Sequence, residues 1–91
     1  MTKIIQRTNQ FKKDIKRLKK QGKEFNNLKQ VIEKLTNNVK LENKYNDHKL
    51  WGKYKNYREC HVEPDWLLIY KNTNTELILR RTGSHPELFN M

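Results

Sequence analysis

At about residue 54 the spacing of apolar side chains changes period, and that change restricts the possible folds more than any other feature of the chain. Before it, Phe11, Ile15 and Leu18 recur at helical steps, and Phe25, Leu28, Val31, Ile32 and Leu35 form a second, fuller stripe. Thr8 or Asn9 offers a capping oxygen to the first helix, and Gly22 ends it. Two amphipathic helices joined by so short a link form a hairpin. Beyond Tyr54, runs of β-branched, aromatic and aliphatic residues predict strands at roughly Lys55 to Val62, Trp66 to Lys71 and Glu76 to Arg81. Glu63-Pro64-Asp65 and Asn72-Thr73-Asn74-Thr75 are the turns, and turns this short require antiparallel pairing. Lys3 to Gln6, with its two isoleucines, reads as a short first strand. The expected class is α+β in the order β-α-α-β-β-β, with the helix hairpin packed on a small antiparallel sheet. No repeat or linker interrupts the chain, so residues 1–91 read as one domain. Thr36 to Gly52 reads as a connection, and Thr82 to Met91 as a tail too short for an element of its own, laying Leu88 and Phe89 on the sheet.

The charge balance points to the partner. Twenty Lys and Arg against ten Asp and Glu give a formal net charge of +10, which suits a polyanion. An anionic membrane is the rival to nucleic acid. No apolar run approaches spanning length, and the start at Met1 lacks the apolar segment of a signal peptide, so no membrane role is expected and the chain reads as soluble and cytoplasmic. Cys60 is the only cysteine, which excludes an intrachain disulfide.

His48, His61 and His85 are the only histidines, and each falls at a boundary between elements, where distant parts of a small sheet can converge. Cutting RNA without a metal needs a base for the ribose 2′-hydroxyl, an acid for the leaving 5′-oxygen and cations for the crowded phosphorane. Histidine can fill either proton-transfer role near neutral pH. Arg58, Arg80 and Arg81, near His61 and His85 in sequence, are the candidate phosphate grips. Lys16 and Arg17 belong to a basic first helix that is either a solvated face or an RNA-facing one, with only Asp14 to offset it. Phe89, four residues after His85, either stacks on a base or anchors the tail. His61, Glu63 and Asp65 alternate as ligands might on a strand, but Pro64 favours a turn and the spacing matches no common metal signature, so no metal site is assigned. Cys60 and His61 are adjacent and point to opposite faces of a strand, which rules out a nucleophile–base pair between them and makes Cys60 a core residue.

Three strings carry a resemblance: Asp47-His48-Lys49-Leu50, Tyr57-Arg58-Glu59-Cys60-His61-Val62-Glu63-Pro64-Asp65-Trp66, and Arg81-Thr82-Gly83-Ser84-His85-Pro86-Glu87-Leu88-Phe89. Together they resemble the YafQ-type toxins of the RelE superfamily. The resemblance implies a toxin of a type II toxin–antitoxin system that cuts messenger RNA in the ribosomal A site without a cofactor. It carries catalytic positions to His48, His61, Asp65 and His85, places Phe89 near substrate and makes Arg81 a phosphate contact. In that scheme His85 transfers a proton directly, His48 and His61 share the complementary work, and Asp65 orients or activates a histidine. It also implies a small cognate antitoxin of the DinJ or RelB kind and operator binding only by the toxin–antitoxin complex. One departure is Lys49 after His48, where the family has proline, which leaves the backbone freer. The alternatives are a ParE-like gyrase inhibitor, which has no need of a proton-transfer set, and an RNA- or ribosome-binding module without catalysis.

Overall fold

Thr8 begins the helical hairpin as expected, its side-chain oxygen accepting from the Phe11 N–H at 3.0 Å. The computed structural model describes residues 3–89. In chain order these form β1 (Ile4–Arg7), α1 (Asn9–Lys20), α2 (Asn26–Thr36), β2 (His48–Lys49), β3 (Arg58–Glu63), β4 (Trp66–Asn72), β5 (Glu76–Gly83) and α3 (His85–Phe89). Gly22 stands at φ +76°, a left-handed backbone suited to a residue without Cβ, just past the end of α1.

The α+β class holds, and the sheet order is β1-β5-β4-β3-β2. The meander β3-β4-β5 is antiparallel, as its short turns require, and β2 joins β3 antiparallel. β1 lies parallel to β5, with Ile4 opposite Glu76 and Arg7 opposite Leu79, so the sheet is mixed. Parallel pairing is open to β1 because two helices, and no hairpin turn, separate it from its neighbours in sequence.

One face of the sheet carries the main core. Phe11 and Leu18 of α1 and Leu28, Val31 and Leu35 of α2 pack there on Cys60, Val62, Leu68, Tyr70, Leu77 and Leu79. The other face has no long helix. Its smaller cluster is Tyr54, Leu67, Ile69 and Leu88, flanked by Leu50, Tyr57 and Phe89 from the β2–β3 loop and the C-terminal segment.

The tail does form an element, which corrects the expectation. Ser84 and Glu87 make a reciprocal cap, the Ser84 N–H donating to Glu87 Oε1 at 2.9 Å while the Glu87 N–H reaches Ser84 Oγ at 3.4 Å. The Ser-x-x-Glu spacing is legible in the sequence, and it starts α3 at His85. Asn90 and Met91, the end of the expected tail, lie outside the described residues.

β1 ends at Arg7, so the edge of β5 beyond Leu79 is left to α1. Asp14, fully buried, takes the place of a strand there, accepting from the Thr82 N–H at 3.2 Å. Its carboxylate also meets Arg81 at 2.9 Å and Arg17 at 2.8 Å. Arg17 in turn lies 2.8 Å from Glu87 and donates to the Thr82 carbonyl, so one guanidinium ties α1 and β5 to α3. Gly83 makes room for it. A methyl group at Gly83 would lie 2.6 Å from Arg17 Nη2 and 3.0 Å from Glu87 Oε1, at a backbone φ of +152°. Gly83→Ala is therefore expected to cost about 1–3 kcal/mol of stability, measurable by urea unfolding.

Candidate active site

Strand alternation decides which side chains meet. On the face away from the two long helices, His48, Glu59, Ile69 and Arg81 are in register across four strands, and His61, Leu67 and Gly83 form the next row. Plain alternation along β5 would have sent Arg81 to the core side with Leu77 and Leu79. A register shift against Ile69 and Tyr70 makes Arg80 the extra residue, and this bulge turns Arg81 to the open face and Thr82 to the core.

His85 opens α3 two residues beyond Gly83, and its ring comes over the second row to stand 6.0 Å from the ring of His61, centre to centre. His48 and His61 share a carboxylate. Glu59 Oε1 lies 3.5 Å from His48 Nε2 and 3.7 Å from His61 Nε2, and Glu59 itself is only 3% exposed. His48 Nδ1 is 2.7 Å from the Asn46 carbonyl. A carbonyl can only accept, so Nδ1 carries a proton and Nε2 is the atom turned to Glu59. Phe89 sits 6.0 Å from His85 and edge-on to Tyr54 at 5.8 Å, between the site and the minor core. Both expectations for Phe89 are therefore sterically open at one position.

The structure brings His48, His61, His85, Phe89 and Arg81 to one face. It does not bring Arg58 there. Arg58 pairs across the sheet with Tyr70, on the helix side, and its Nε lies 3.1 Å from Asp47, so sequence proximity to His61 misled because alternate residues of β3 face opposite ways. Arg17 is likewise taken up by Asp14, Glu87 and the Thr82 carbonyl, and works as a tie within the fold. Lys16 is an exposed residue of α1. Arg81 donates two bonds to Asp14, at 3.1 and 2.9 Å, which fixes its guanidinium at the margin of the histidine face. Arg80 lies over the Tyr54 ring at 5.6 Å and, among the described residues, has no part in the ion pairs that occupy its neighbours. Asp65 is exposed in the turn between β3 and β4, and the carboxylate at ion-pair distance from two histidines is that of Glu59. Glu59 was missed in the sequence because one glutamate among so many charges gives no signal. Its position two residues before His61 on a strand was the available clue. Cys60 is in the core, where burial and the nearby Asp47 and Glu59 carboxylates push its thiol well above the ordinary range, so it is no nucleophile.

A family profile described as a bacterial toxin of type II toxin–antitoxin systems, YafQ, matches residues 3–90. The chain belongs to the YafQ toxin family. The mRNA interferase toxin YafQ of Escherichia coli (strain K12) is 46% identical over 86 residues, covering 93% of this chain and 94% of the relative. In the crystal structure of the E. coli DinJ-YafQ toxin-antitoxin complex, YafQ superposes with a TM-score of 0.89 at 44% identity, over 98% of this chain and 99% of that one. A copper-bound mutant toxin from Helicobacter pylori matches with a TM-score of 0.89 at 42% identity, over 98% of this chain and 100% of that one. In this YafQ-family chain no group of three or more His, Cys, Asp or Glu is arranged to hold a metal ion among the described residues. No helix among them is long and apolar enough to cross a membrane.

Proposed function

We propose that this YafQ-family toxin is an endoribonuclease that cuts messenger RNA in the A site of the translating ribosome, using histidines as general acid and base with no metal ion in the chemistry. The observation that carries the reading is the approach of His61 and His85, from β3 and α3, to 6.0 Å on one open face. A phosphodiester lying across the open side of the pair presents its 2′-hydroxyl to one ring and its 5′-oxygen to the other. One imidazole takes the 2′ proton, the 2′-oxygen attacks phosphorus, and the 5′-oxygen leaves with a proton from the other. The products are a 2′,3′-cyclic phosphate and a 5′-hydroxyl. His85 transfers a proton directly, and His48 and His61 share the complementary step. Arg80 and Arg81 stabilise charge on the phosphorane oxygens. Asp65, on the turn that follows β3, orients or activates a histidine.

Glu59 is a positioning residue in this scheme, its carboxylate facing both Nε2 atoms and attracting whichever imidazole carries the positive charge. Glu59→Gln is expected to lower kcat by about tenfold with KM nearly unchanged, and Glu59→Asp to restore part of the loss. A rise in KM alone would instead place Glu59 in substrate binding.

The cognate partner is a small antitoxin of the DinJ or RelB kind, an acidic segment that folds over the basic surface in the cytoplasm. The toxin–antitoxin complex, and not the toxin alone, binds operator DNA. The DinJ-YafQ complex supports this pairing.

The test is to add purified toxin to translating ribosomes with EDTA in excess over transition metals but well below the magnesium present, and to map RNA 5′ ends. Cuts within translated codons, with cyclic phosphate termini and at a rate insensitive to transition-metal chelation, are expected. Growth arrest without cut transcripts would point to gyrase, as for ParE-like toxins. Activity lost to the chelator and restored by copper or zinc would overturn the metal-free chemistry.

A further inference from the structure

β2 closes the sheet at the edge opposite β1, and the loop that leaves it three residues after His48 carries an indole with no packing role. Trp51 is 80% exposed, whereas Trp66, the other tryptophan, is 1% exposed in the main core. The loop around Trp51 is pinned. The Leu50 N–H donates to the Tyr57 carbonyl at 3.0 Å, the Tyr57 N–H to the Tyr54 carbonyl at 2.9 Å, and Tyr54 is buried in the minor core with Leu50 and Tyr57 against it. An anchored loop thus holds a large flat ring out in water.

Its surroundings are cationic. Between Lys49 and Arg58 the chain has four Lys or Arg and no carboxylate. Trp51 borders a shallow cleft of about 340 Å³ that Lys49, Lys55 and Lys71 also line, together with Leu50, Tyr57 and Arg58. Arg58 is neutralised by Asp47, so the lysines supply the free charge. A single exposed apolar residue needs no explanation by itself. An indole on an anchored loop beside several lysines is the pairing that single-stranded nucleic-acid sites use, with ammonium groups for phosphates and an aromatic face for a base.

We propose that Trp51 is a base-stacking platform for the RNA strand beyond the scissile linkage, with Lys49, Lys55 and Lys71 holding the phosphates beside it. The proposal rests on the ribonuclease reading: Trp51 lies three residues beyond His48, just past the edge strand, where an RNA strand leaving the histidine face over that edge would meet it. Leu50 and Tyr57 also line the cleft but are packed against the minor core, so the edge offers a partner an indole face beside three ammonium groups, which matches a stacked base and its phosphates better than an acidic protein segment.

An all-2′-O-methyl RNA octamer cannot be cut by 2′-oxygen attack, so wild-type toxin can be titrated with it directly. Trp51 fluorescence is expected to be quenched, with the buried Trp66 emission left in place, and the affinity is expected to fall steeply with salt. Trp51→Ala should weaken binding about tenfold and Trp51→Phe much less, both keeping the wild-type melting temperature because the side chain is exposed. Equal affinity of wild type and Trp51→Ala for the octamer would overturn the proposal. So would a Trp51→Ala defect confined to binding an acidic peptide, which would make the face a protein-docking site. If the titration succeeds while mapped transcripts stay whole, the ribonuclease reading fails and the platform stands. If transcripts are cut and Trp51 is not quenched, the reverse holds.

Discussion

Replacing His85 with alanine is expected to slow single-turnover RNA cleavage by about 10²–10⁴-fold, the range for loss of a general acid or base. The melting temperature should stay close to wild type, because the α3 cap is made by Ser84 and Glu87 and the anchoring side chain is Leu88, not His85. His61→Ala should cost a similar factor. The double variant should cost far less than the product of the two, because rings 6.0 Å apart serve one linkage and the second loss removes little that remains. Induced expression of His85→Ala should leave growth intact. Full toxicity in a folded His85→Ala protein would remove catalysis from the account and favour one of the two binding alternatives.

Asp14→Ala is expected to be the most damaging change to stability, at about 2–4 kcal/mol, since it leaves the partly buried Arg81 and Arg17 guanidiniums and the buried Thr82 N–H without their acceptor. Burial alone would push the Asp14 carboxyl up, but hydrogen bonds from Arg81, Arg17 and the Thr82 N–H outweigh it and hold the group below the ordinary carboxylate value. A carboxyl lowered in the folded state contributes stability that is fully present above its unfolded value of about 3.9 and is lost as pH falls through the lower folded one. Urea midpoints should therefore be level across neutral pH and drop below about pH 4, and Asp14→Asn should flatten that drop. An unchanged acid limb in Asp14→Asn would show that other carboxylates govern it. The variant should also impair cleavage, because the same carboxylate orients Arg81 and, through Arg17 and Glu87, seats α3 and its His85.

The legible part of the fold followed from periodicity. The stripes of α1 and α2 and the short turns of the meander are local patterns, and each predicted the element found within a few residues. β2 escaped notice because two residues, His48 and Lys49, are too few to show a period. The parallel seat of β1 could not be read either, since pairing partners so far apart along the chain leave no mark in local spacing. Among site residues, the histidines stood out by rarity and by their places at element boundaries. Arg58 looked as suitable a phosphate grip as Arg80 or Arg81, and Arg17 belonged to a basic helix face that could have met RNA. Their guanidiniums were claimed by Asp47, Asp14 and Glu87, partners that only the packed chain supplies.

Sequence by itself determined the class and order of the longer elements, the positive field and the residue types available for proton transfer, because these depend on composition and near neighbours. Tertiary structure decided which of those residues share a surface. A bulge at Arg80 changed the phase of β5, a buried aspartate stood in for a missing strand, and a guanidinium over Gly83 fastened the last helix. Each is a contact between segments remote along the chain, and its energy exists only once the backbone has closed around it.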